Sequence, residues 1–170
     1  MIQGSLPDTR VDPPPAASER ELLISFLDLY RETILVKVRG LTEDQLRRRL
    51  VPSPTTLLGI VKHLGYVERS WFRMRFHGED LPVPWTKQDP DADFRIEPDE
   101  TAESVIAFYR DQVERARAIV AAAQLDDRVK GQAKQPYTLR WILIHMIEET
   151  ARHAGHADIL REQTDGAAGE

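Results

Sequence analysis

Cysteine is absent from the 170-residue chain. No disulfide can form, no zinc site can be built on protein thiolates, and no cysteine nucleophile is available. Long apolar runs are missing too, since none approaches the roughly 20 residues that a membrane helix needs. The opening stretch MIQGSLPDTRVDPPPAA lacks the apolar core of a secretory leader. The expectation is a cytoplasmic protein with no membrane partner. Basic residues are outnumbered, with 23 Lys and Arg against 28 Asp and Glu, for a net charge of −5. The densest basic run is Arg47-Arg48-Arg49. Nucleic-acid binders usually carry a basic face, so no nucleic-acid partner is expected. Alternation of period two is also lacking, and no segment reads as a strand.

Helical periodicity is what the chain has instead. Hydrophobic residues make up 41% and charged residues 30%, the balance of a soluble globular domain. The length suits one domain with a substantial core. Pro7, Pro13, Pro14 and Pro15 bar helix from residues 1–17, which should be extended or disordered. Ser18-Glu19-Arg20-Glu21 has the form of a capping box. Leu22, Leu23, Phe26, Leu27, Tyr30 and Ile34 follow at helical spacing, predicting a first helix over about 18–38. Thr42-Glu43-Asp44-Gln45 opens a short helical turn in the same way.

Ser53-Pro54 predicts the start of a second long helix, over about 54–76. Residues 78–98, GEDLPVPWTKQDPDADFRIEP, show no period and read as a long loop, a length that is often functional. A third helix is expected over about 100–124. A fourth is expected over about 138–163, capped by Thr138. The predicted fold is all-α, a four-helix bundle over residues 18–163 with a long connection between helices two and three. Residues 164–170 are expected to fray. Apolar helix faces also suit pairing with a second copy, so a homodimer is a further expectation.

The densest chemistry lies in HMIEETARHAGH, residues 145–156, which holds three of the five histidines. His145, Glu149 and His153 follow one another at four-residue steps, one turn apart on one face. Ile142, Met146, Ala157 and Leu160 flank that side, so Glu149 and His153 point towards the core or a cleft. A buried carboxylate needs a donor or a cation, and two ligand types one turn apart can chelate a metal. His63, on the border of the apolar stripe of the second helix, is the candidate third ligand. Two imidazoles and a carboxylate suit zinc foremost, with nickel, iron or manganese compatible. The same residues also allow a carboxylate–imidazole pair and a hydrogen-bonded core histidine, or a pairing of Glu149 with an arginine.

His63 together with the run EETARHAGHADILRE resembles the DinB-like superfamily of metal-binding four-helix bundles. That superfamily includes mycothiol-dependent maleylpyruvate isomerase and the bacillithiol and mycothiol transferases. The resemblance spans residues 18–163 and implies a divalent metal held by His63, Glu149 and His153. Glu149 is similar to the isomerase form of the triad, since many members have histidine there. His145 and His156 are implied neighbours of the ligands rather than ligands. The resemblance further implies a low-molecular-weight thiol as cofactor, activated for transfer to a small-molecule electrophile. The isomerases often carry an additional domain, so a bundle alone fits a transferase better. Tyr66, Trp71 and Trp85 are candidates to line the substrate pocket, with core packing the competing role for Trp71. A non-catalytic metal- or ligand-binding stress protein is the alternative reading.

Overall fold

The computed structural model describes residues 8–168, and expectations for residues 1–7 and 169–170 lie outside them. Helix α1 is Glu19–Val38, with the Ser18 side chain and Glu21 completing the expected capping box. Helix α2, Glu43–Arg47, starts on a second box between Thr42 and Gln45. Helix α3 is Leu57–Glu68, continuing without a break into a π-helix, Arg69–His77. Helix α4 is Ala102–Ala121 and helix α5 is Leu139–Asp165. The four long helices form an all-α bundle in which α1 packs along α5, and α3 along α4 and α5. None of the helices in the described residues is long and apolar enough to cross a membrane.

The second long helix starts later than Ser53-Pro54 predicts. A helix begun at Ser53 would need its carbonyl for the first intrahelical bond. That carbonyl instead accepts from Arg49 Nε at 2.7 Å, and the same guanidinium holds the carbonyls of Val51 and Pro52. Thr56 takes the capping role, its hydroxyl accepting from the Gly59 N–H at 3.0 Å. At the other end of the chain α5 runs on to Asp165, where Gly166 stops it at φ 79°.

The apolar core has two lobes. Ile34, Leu58, Leu64, Tyr109 and Leu160 belong to one, and Leu27, Phe72, Ala116, Leu139 and Met146 to the other. On α1, Arg31 falls in sequence between the lobes, as does Glu68 on α3. These two buried residues form a bidentate pair at 2.8 and 2.7 Å. The connection between α4 and α5 folds back on the π-helix, where the N–H groups of Lys130 and Gly131 donate to the carbonyls of Phe76 and Arg75. The long connection after the π-helix is irregular except for one 3₁₀ turn, Ala92–Phe94, which packs on α3.

Candidate metal centre

His63 follows Ile60 and Val61 on α3 and precedes Leu64, all three fully buried or nearly so. Its own position, at the border of that stripe, leaves the ring half-buried and facing α5. Glu149 and His153 come from α5, one turn apart, beside the buried Met146, Thr150 and Ala154. One donor atom from each of the three side chains lies within 4.8 Å of the others. Nε2 of His63 stands 3.3 Å from Glu149 Oε1, and Nε2 of His153 stands 3.4 Å from the same oxygen. The His63 and His153 rings are 4.8 Å apart between centroids. The three candidate donors therefore converge, Glu149 and His153 from one helix face and His63 from another helix.

A fourth group, which the sequence did not reveal, completes the arrangement. Asp93, buried in the 3₁₀ turn, accepts from His63 Nδ1 at 2.8 Å. The next residue, Phe94, stacks on the His63 ring with centroids 4.0 Å apart and planes 16° from parallel. A lone aspartate in a loop rich in proline and aspartate reads as a solvated residue. The only local hint is the apolar pair, Ala92 and Phe94, that brackets it.

Electrostatics favour a cation here. The imidazoles of His153 and then His63 hold the Glu149 carboxyl well below its ordinary range, against the opposing effect of burial. Burial is the largest single influence on His63 and works to lower its pKa. Its hydrogen bonds to Asp93 and then Glu149 together outweigh burial and raise it. Asp93 and Glu149 are two carboxylates facing two imidazoles, so the group has a deficit of positive charge whenever the rings are neutral. When neutral with its proton on Nδ1, His63 instead turns the lone pair of Nε2 towards a carboxylate oxygen that is also an acceptor. His153 is undersatisfied as well, its Nδ1 being buried without a hydrogen-bond partner. A cation held by Nε2 of His63, Nε2 of His153 and the Glu149 carboxylate relieves the first of these conditions. The residues present thus fit a divalent metal, by donor type as well as by convergence.

The remaining candidates divide between two places. Tyr66 lies one turn beyond His63 and meets Trp85 of the long connection edge-on at 6.0 Å, and Phe108 at 4.8 Å. Trp71 joins a different aromatic group, with Tyr137, Trp141 and His145 at 5.5, 5.5 and 4.6 Å. His145 stacks on Trp141, its Nδ1 is 3.8 Å from Glu148, and burial lowers its pKa. His156 is exposed and meets the His153 ring edge-on at 5.4 Å. Neither histidine joins the converging donors.

The family model described as mycothiol S-transferase matches residues 22–166. No curated protein matches the chain. Among solved structures, a conserved protein from Enterococcus faecalis superposes with a TM-score of 0.63 at 14% identity, covering 89% of this chain and 100% of that one. At that identity the likeness is one of fold.

Proposed function

The chain belongs to the mycothiol S-transferase family, and from that premise we propose that it is a metal-dependent thiol S-transferase. In this reading His63, Glu149 and His153 hold one divalent cation, zinc foremost. A low-molecular-weight thiol of the mycothiol type donates sulfur to a small electrophile. The observation that carries the reading is the convergence of two imidazoles and a carboxylate within 4.8 Å, in a chain without cysteine. The reacting sulfur has to arrive on a second molecule.

An ion held there supplies a Lewis acid that favours thiolate over thiol. Three protein donors are the number found at catalytic rather than closed zinc sites. The chain's own side chains do the positioning. Asp93 keeps a proton on His63 Nδ1 and so keeps Nε2 free to ligate. Glu149 contributes the single negative charge of the ligand set, and His153, on the same helix face, fixes the second imidazole. Phe94 gives the site an apolar wall, stacked on His63 and 5.9 Å from the His153 ring. Tyr66 and Trp85 form the proposed wall for the electrophile. In the transfer the thiol gives its proton to solvent and its sulfur bonds to the electrophilic carbon. The leaving group departs with the bonding pair. The cytoplasm, where small thiols are kept reduced, is the proposed location.

Cobalt-substituted protein titrated with a low-molecular-weight thiol tests this directly. A saturable sulfur-to-cobalt charge-transfer band is expected. Its absence at saturating thiol contradicts the transferase reading.

A further inference from the structure

The last part of the long connection, where it leads into α4, is held more tightly than a linker requires. Gly59 lies one turn before His63, and a Cβ there would stand 2.5 Å from the Phe94 carbonyl oxygen. The 3₁₀ turn therefore rests directly on the α3 backbone. Lys62, next to His63, is buried, and its ammonium donates to the Arg95 carbonyl and to Glu100 Oε2, both at 2.7 Å. Glu100 Oε2 also accepts from the Glu97 N–H at 2.8 Å. Burying an ammonium is costly unless its partners are well placed, and here every partner belongs to this one segment. The same held segment carries Asp93 on His63 Nδ1 and Phe94 on the His63 ring.

We propose that residues 91–100 are a docked part of the metal centre. Asp93 is a positioning residue that fixes the tautomer and ring plane of His63. The Lys62–Glu100 clasp couples docking of the segment to binding of the ion. The inference rests on the metal role proposed for His63.

The coupling follows from what undocking removes. A carboxylate accepting from Nδ1–H leaves the lone pair on Nε2, the nitrogen that faces Glu149. The stacked Phe94 ring holds the imidazole plane. When the segment lifts, acceptor and stack leave together, and His63 is free to take its other tautomer and other rotamers. The docked form then binds the ion more tightly than the undocked form. By reciprocity, the ion stabilises docking by the same factor.

The test measures zinc affinity by competition with a chromophoric chelator in the wild type, Asp93→Ala, Asp93→Asn and Lys62→Met. Amide hydrogen exchange across residues 93–100 is followed with and without zinc. Asp93→Ala should bind zinc about 10–100-fold more weakly. Asp93→Asn, whose amide oxygen still accepts from Nδ1–H, should recover most of that loss. Lys62→Met touches no ligand, yet should weaken zinc by about 5-fold or more. Zinc should slow exchange at the amides of Phe94, Arg95 and Glu100, each of which donates within the segment, and slow it less in Lys62→Met. Wild-type affinity in Asp93→Ala, equal losses in Asn and Ala, or exchange indifferent to zinc overturns the proposal. Should Asp93→Ala not fold, Lys62→Met and the wild-type exchange decide. Zinc bound equally by all variants removes only this inference, whereas a wild type that binds none removes the metal reading and this inference with it.

Discussion

Glu149 answers to two imidazoles at once, and its depressed pKa has a measurable consequence in the metal-free protein. A carboxyl whose folded value lies below its ordinary 4.5 adds stability above that pH, and the contribution is lost as pH falls towards the lowered value. Glu149→Gln keeps the shape and removes the titration. Without metal, its stability should therefore fall less steeply than that of the wild type on acidification below about pH 4.5, as followed by urea denaturation. Parallel curves would mean that the carboxylate is not held by His153 and His63. Legibility also differs residue by residue. Glu149 and His153 could be read because a four-residue step fixes their common face whatever the rest of the chain does. His63 could be read because it borders an apolar stripe. Asp93 could not, because its partner is chosen by how a loop docks 30 residues away, and no local period encodes that.

Elements were legible where their signals are local. The capping boxes at Ser18 and Thr42 announced α1 and α2, and the structure keeps both. The start of α3 was misplaced because Ser53-Pro54 is a good local signal overridden by a tertiary one, the Arg49 guanidinium on the neighbouring carbonyls. The structure thus predicts a contrast. Thr56→Ala should cost about 1 kcal/mol, while Ser53→Ala should stay within about 0.5 kcal/mol, both from denaturant midpoints. A reversed order would put the helix start back at Ser53. The sequence predicts helix to about residue 76 and the chain is helical to His77, but nothing in the apolar pattern marks Arg69–His77 as π rather than α. The final carbonyls of this π-helix are satisfied from outside by Lys130 and Gly131. Gly131 is required for that approach, because a Cβ would stand 2.0 Å from the Met74 carbonyl oxygen.

At the scale of the molecule, a buried charge pair joins α1 to α3 where two apolar lobes meet. Glu68→Ala would leave the Arg31 guanidinium buried without its bidentate partner, with Asp28 at 2.9 Å as its one other carboxylate among the described residues. The expected loss is about 3–5 kcal/mol, read from urea denaturation, and a loss under about 1 kcal/mol would show that water reaches the pair. The class of fold was readable from the sequence because amphipathic helices of this length have few ways to bury their apolar faces. How tightly the long connection is pinned to α3 was not, since Lys62, Gly59 and Glu100 are each unremarkable in their own neighbourhoods. The central claim is that the bundle holds one divalent ion between α3 and α5. Its most direct test is the metal content of untagged protein by mass spectrometry, comparing the wild type with Glu149→Ala after zinc loading and removal of excess. The account predicts close to one equivalent per chain in the wild type and its loss in Glu149→Ala. No retained metal in the wild type, or equal retention in both, would contradict it.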